Sequence, residues 1–146
     1  MDKRHRHIFG PTAIVVGLAL LVAACATATS STGVASVSLS GAQEVPPVNT
    51  SATGRGTITI TGSKAVSGRI QTSGINGTAA HIHMGGPDEN GPVIVTLQKA
   101  GDGLWVVPPG ADVSDAAYDA FNMGKLYVNV HSDANKAGEI RGQIRP

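Results

Sequence analysis

From Val34 onward the chain alternates apolar and polar residues in short runs separated by Gly, Pro, Asn and Ser. In VASVSLS (34–40), Val37 and Leu39 share a face; in RGTITIT (55–61), Ile58 and Ile60 oppose Thr57, Thr59 and Thr61. Gly62-Ser63 reads as a tight turn into AVSGRIQTSGI, where Val66 and Ile70 lie on one side. Period-2 patterning in β-branched residues predicts strands with one face on a core. Further runs follow at 79–84, PVIVTLQ (92–98), GLWVV (103–107), KLYVNVH (125–131) and EIRGQIR (139–145). SDAAYDAFNMG (114–124) is the one helical stretch, with Ser114 placed to cap it and Gly124 to end it. About eight short strands with close turn signals predict an all-β Greek-key sandwich or barrel, antiparallel, with one short helix.

The first 24 residues follow another rule. Lys3, Arg4 and Arg6 precede the apolar run Ala13–Ala24, and Cys25, the only cysteine, closes it. A dozen apolar residues fall short of the roughly 20 that span a bilayer, so the segment reads as a signal peptide. Val22-Ala23-Ala24-Cys25 resembles the lipobox of bacterial lipoproteins. That resemblance implies cleavage before Cys25, acylation of its thiol and amino group, and stable attachment to a membrane. Ala26, not Asp, follows the cysteine, which implies the outer membrane in an organism with two membranes. ATATSSTG (26–33) reads as a flexible tether, leaving 34–146 as one domain without a disulfide.

Removing the leader changes the charge picture. It takes three basic residues and one acid from the chain, leaving eight basic against nine acidic. With no basic patch and aromatics at 3% of the chain, nucleic acid is not an expected partner.

Candidate chemistry centres on TAAHIHMGGPDENGP (78–92). His81 and His83 share one side of an extended segment, about 7 Å apart at Cα. His131 is the one other histidine of the mature chain. Pairing Val130 with Ile140 puts Asn129 opposite Arg141 and His131 opposite Glu139, with Tyr127 and Asn129 on the His131 face. Three convergent imidazoles would suit copper or zinc, with Glu139 orienting His131 and with Tyr127 and Asn129 lining the site. The alternative is a polar clasp, in which the histidines bond loop backbone and hold GGPDENG over a wet sheet face. The clasp is the expectation. A calcium loop at Asp133 is excluded because Ile144 stands where its closing acid belongs.

Three blocks together, LSGAQEVPPV (39–48), AHIHMGGPDENGPVIV (80–95) and GKLYVNVHSDANKAGEIRGQ (124–143), resemble the CHRD domain, named after the chordin proteins. The resemblance implies an extracellular module in animals and an envelope protein in bacteria. The family is similar to the copper/zinc superoxide dismutase sandwich, which also has a His-x-His strand and a late histidine. The additional histidines, the aspartate and the disulfide of that enzyme are missing, so dismutase activity is not expected. The resulting expectation is a non-catalytic, lipid-anchored envelope binding or interaction module, with copper or zinc binding as the alternative.

Overall fold

The computed structural model describes residues 33–146. The expected signal peptide (1–24), Cys25 and the expected tether as far as residue 32 lie outside the described residues. Among the described residues nine antiparallel strands form one sheet: β1 (Gly33–Ser40), β2 (Thr53–Ile60), β3 (Val66–Ser73), β4 (Gly77–Met84), β5 (Val93–Thr96), β6 (Gln98–Gly101), β7 (Leu104–Val106), β8 (Leu126–Ser132) and β9 (Ile140–Ile144). Their order across the sheet is β5-β4-β8-β9-β1-β2-β3-β7-β6. The two end strands are consecutive in sequence, joined through Leu97 alone, so the sheet curls almost into a barrel. Leu97 is buried, and its N–H donates to Ala80 O at 2.9 Å. Both end strands are four residues long, and their ladders slip register between Ile82 and His83 and between Lys99 and Gly101.

The predicted alternation holds where it is strongest. Ile58, Ile60, Ile70, Ile82, Val128, Val130 and Ile140 are fully buried and form one apolar core with Phe121 and Trp105. Each such aliphatic side chain contributes roughly 1.5–3 kcal/mol on leaving water. The predicted pairing is also present, with Val130 opposite Ile140 and Asn129 opposite Arg141. The helix α1 (Asp115–Asn122) closes one end of the core with Ala117, Ala120 and Phe121. Ser114 Oγ caps it by accepting from Ala117 N at 3.2 Å.

Two features depart from the sequence reading. β6 (QKAG) was not anticipated: all four residues are exposed, so no alternation marks it. More consequential, the face of β8 and β9 opposite the core is not wet. Every residue of Leu126–Val130 and Ile140–Ile144 is buried, including Tyr127, Asn129, Arg141 and Gln143. The connections at 41–52, 85–92 and 133–138 fold over that face and turn it into a second, polar interior. Asn90 Nδ2 ties two of them together by donating to Val45 O at 2.7 Å. Gly91 fits this packing because a Cβ there would stand 1.7 Å from Met84 O.

Candidate metal centre

Antiparallel pairing of β4 and β8 brings the three histidines to one place. His81 is opposite Asn129, and His131 is opposite Ala79, two residues further along the ladder on the same side. His81 and His83 project from the same side of β4, as period-2 geometry requires, while Met84 points the other way and packs against the apolar core. One nitrogen from each of His81, His83 and His131 lies within 4.8 Å of the other two. His83 is buried, and its two companions are half-buried.

Backbone carbonyls decide which nitrogens face inward. His83 Nδ1 donates to Gly91 O at 2.8 Å, and His131 Nδ1 donates to Lys136 O at 2.9 Å. A carbonyl only accepts, so each Nδ1 carries the proton and each neutral ring keeps its lone pair on Nε2. His81 Nδ1 then donates to His131 Nε2 at 2.9 Å. His83 Nε2 is buried without a hydrogen-bond partner among the described residues. Burial, and then the like charges of the companion rings, lower the pKa of His81. Burial lowers that of His83 too, against the opposing pull of the Gly91 carbonyl. Both rings are thereby kept in the neutral form that coordinates metal.

The donor set fits one borderline cation. Bonds of about 2.0–2.1 Å put two nitrogens of a tetrahedral centre about 3.4 Å apart, so the widest pair, within 4.8 Å, must close by up to about 1.4 Å while His81 Nδ1 and His131 Nε2, at 2.9 Å, part slightly. All three donors are imidazoles, which suits Cu(II) or Zn(II). Three protein ligands leave one position open.

The expected supporting residues divide. Tyr127 does line the site: its ring stacks on His83 at 4.8 Å and 5°. Asn129 is buried against His83, and its oxygen favours the protonated ring. Glu139 does not orient His131, contrary to expectation; the Lys136 carbonyl holds that position. The Glu139 carboxylate instead accepts from Thr50 Oγ1 at 2.8 Å and from Ser132 Oγ. The Ser132 bond, followed by those of Thr50 and Asn135 and against the effect of burial, lowers its pKa.

A clasp on the loop is present, but its main holder is Arg141 rather than the histidines. Arg141 Nη2 donates to Gly86 O at 2.6 Å and Glu89 O at 3.0 Å, and Gln143 Nε2 reaches Gly85 O at 2.9 Å. Tyr127 OH accepts from Gly91 N at 3.1 Å, while His83 takes Gly91 O. The sequence reading gave Arg141 only a cross-strand role, because nothing local marks which carbonyls a buried guanidinium will meet. Glu44 went unmarked altogether. It is 6% exposed, and burial raises its pKa to about 7 despite the Arg141 charge.

An antiparallel β-barrel-like sandwich with a three-histidine cluster on β4 and β8 is the class these observations define. A family model for the CHRD domain matches residues 35–144, essentially the whole described fold. The chain belongs to the CHRD domain family. Neither the curated proteins nor the solved structures include a match to it.

Proposed function

We propose that this CHRD domain is a non-catalytic binding module of the cell envelope whose ligand is one Cu(II) or Zn(II) ion. His83 and His131 are its ligands through Nε2 and His81 through Nδ1, whose proton moves to His81 Nε2 when the ion binds, and Cys25 carries the lipid that fastens the module to a membrane. The observation that carries the reading is the pair of carbonyls, Gly91 O and Lys136 O, that fix two rings with Nε2 turned to a common centre. Orientation of this kind is the usual partner of a metal-bound histidine. A binding role without turnover is supported by the ring bonds, which run to another imidazole and to backbone carbonyls and not to a serine hydroxyl.

Calorimetric titration of the metal-free mature protein with Cu(II) and Zn(II) tests the proposal. One equivalent should bind, and His83→Ala or His131→Ala should weaken binding at least 100-fold, the order expected on losing a ligand or its orientation. Wild-type affinity equal to that of both variants would leave the clasp as the histidines' whole role.

A further inference from the structure

The outer face of β1, β2 and β3 carries a charge pattern that the metal site does not use. Residues paired directly across strands point the same way, so the pairs Arg145–Ser36, Ser36–Thr57 and Thr57–Arg69 place four side chains in one outward row. With strands about 4.8 Å apart, Arg145 and Arg69 stand about 14 Å from each other at the backbone. Arg55 lies in the next row, opposite Ser38 and Gln71, and diagonal to Arg69 at about 7–8 Å. All three arginines are exposed. Arg55 and Arg69 border a shallow groove of about 610 Å³ that Ser36, Ser38, Thr57 and Gln71 also line.

No strand position on this face holds an acid. Acids at its rim are Asp102 in the β6–β7 turn, whose carbonyl accepts from Gln71 Nε2 at 3.2 Å, and Asp88, which shares a cleft with Arg145. The one salt bridge among the described residues joins Lys64 to Asp115, so none of the three guanidiniums is neutralised there. Three of the four arginines of residues 33–146 gather here, although that stretch has eight basic residues against nine acidic. The sequence contains no basic run because the patch exists only in the folded sheet. One arginine comes from β2, one from β3 and one from just past β9.

We propose that this face docks on a surface of anionic phospholipid headgroups, laying the barrel on the membrane that holds it. Guanidinium forks match the oxygens of a phosphate bidentately, and serine and threonine hydroxyls donate to the same oxygens. The course of the chain favours a membrane over other polyanions. Ser36 lies three residues, about 10 Å, past Gly33, where β1 starts. Seven residues, 26–32, connect Gly33 to Cys25, so the two are at most about 28 Å apart. A lipid on Cys25 therefore keeps the arginine row within reach of the headgroups. Residues 33–146 are net negative, so attraction to an anionic surface has to come from a local patch such as this one. The proposal takes its membrane from the anchoring reading above, while the face itself is tested without the lipid.

The core closes within residues 33–146, so a chain starting at Ala26 serves as an unanchored probe. Its sedimentation with phosphatidylcholine vesicles, with or without phosphatidylglycerol, measures partitioning at about 0.1 M salt. Each arginine should add about fivefold, making binding to the anionic vesicles on the order of 100-fold stronger than to the neutral ones. Raising the salt to about 1 M, which shortens the screening length from about 10 to about 3 Å, should remove the difference. Arg55→Gln/Arg69→Gln/Arg145→Gln should abolish it too, and each single change should cost about fivefold. Arg55→Lys/Arg69→Lys/Arg145→Lys should retain most of it, which separates loss of charge from loss of fold. Equal partitioning of the wild-type probe to both kinds of vesicle would overturn the proposal. So would binding to heparin without binding to vesicles, which would give the face to a polysaccharide, or self-association in place of vesicle binding, which would give it to a second copy. Vesicle binding by the probe, beside a native chain that stays unacylated and aqueous, would remove the anchor and leave the docking face standing.

Discussion

Arg141 sits over the ring of Tyr127, its guanidinium carbon 3.4 Å from the ring centroid. Tyr127 in turn stacks on His83, so a cation, a phenol and an imidazole form one column from β9 through β8 to β4. Arg141 is 1% exposed and spends its donors on loop carbonyls, which lets a guanidinium sit in a protein interior.

Removing that charge should cost more than any surface change. Arg141→Met keeps much of the volume but leaves Gly86 O and Glu89 O without donors and Tyr127 without its cation. We expect a loss of about 3 kcal/mol, read from the urea midpoint. A loss under about 1 kcal/mol would mean the loop is held by Gln143, Tyr127 and His83 without it.

Glu44 should make the protein less stable as pH rises toward neutrality. Its carboxyl ionises at the ordinary 4.5 when unfolded and about 7 when folded, so between those values the folded chain holds the extra proton. Stability therefore falls as pH climbs through that window. Glu44→Gln should gain on wild type across it, by about 3 kcal/mol at most. The depressed pKa values of His81, His83 and Glu139 remove stability as pH falls, and they cancel in this comparison because both proteins share them. A constant difference from pH 4.5 to 7.5 would contradict the account.

The α1 cap is a simpler case. Ser114→Ala deprives Ala117 N of its acceptor and should cost about 1 kcal/mol, while Ser114→Asp should retain stability. Equal losses in the two variants would show that the hydroxyl's contribution lies elsewhere.

Anchoring is tested upstream of the fold. Cys25→Ser should abolish acylation and move the protein from the detergent to the aqueous phase on cloud-point separation. Unchanged partitioning would remove the lipobox reading.

How far the sequence carried can be seen in β8. Its alternation correctly divided Leu126, Val128 and Val130 from Tyr127, Asn129 and His131, and it fixed the pairing with β9. The meeting of His81, His83 and His131 needed the β4–β8 register as well, which connects residues about fifty apart. The burial of the polar face was not legible. It comes from loops whose contacts, such as Thr50 with Glu139 and Asn90 with Val45, cross 89 and 45 residues. Alternation reports which side a residue takes, and only tertiary closure decides whether that side meets water. β6 escaped for a related reason, since a strand exposed on both faces carries no pattern.

The short end strands limit how the molecule meets copies of itself. A passing chain that sought to extend the sheet would find four residues at β5 or four at β6, each strand already slipped in register against its neighbour. Such templates offer few bonds in series, and the slips spoil the spacing that a straight strand needs. Edge-to-edge growth of the sheet from one copy of the domain to the next is thereby disfavoured, however crowded the copies are.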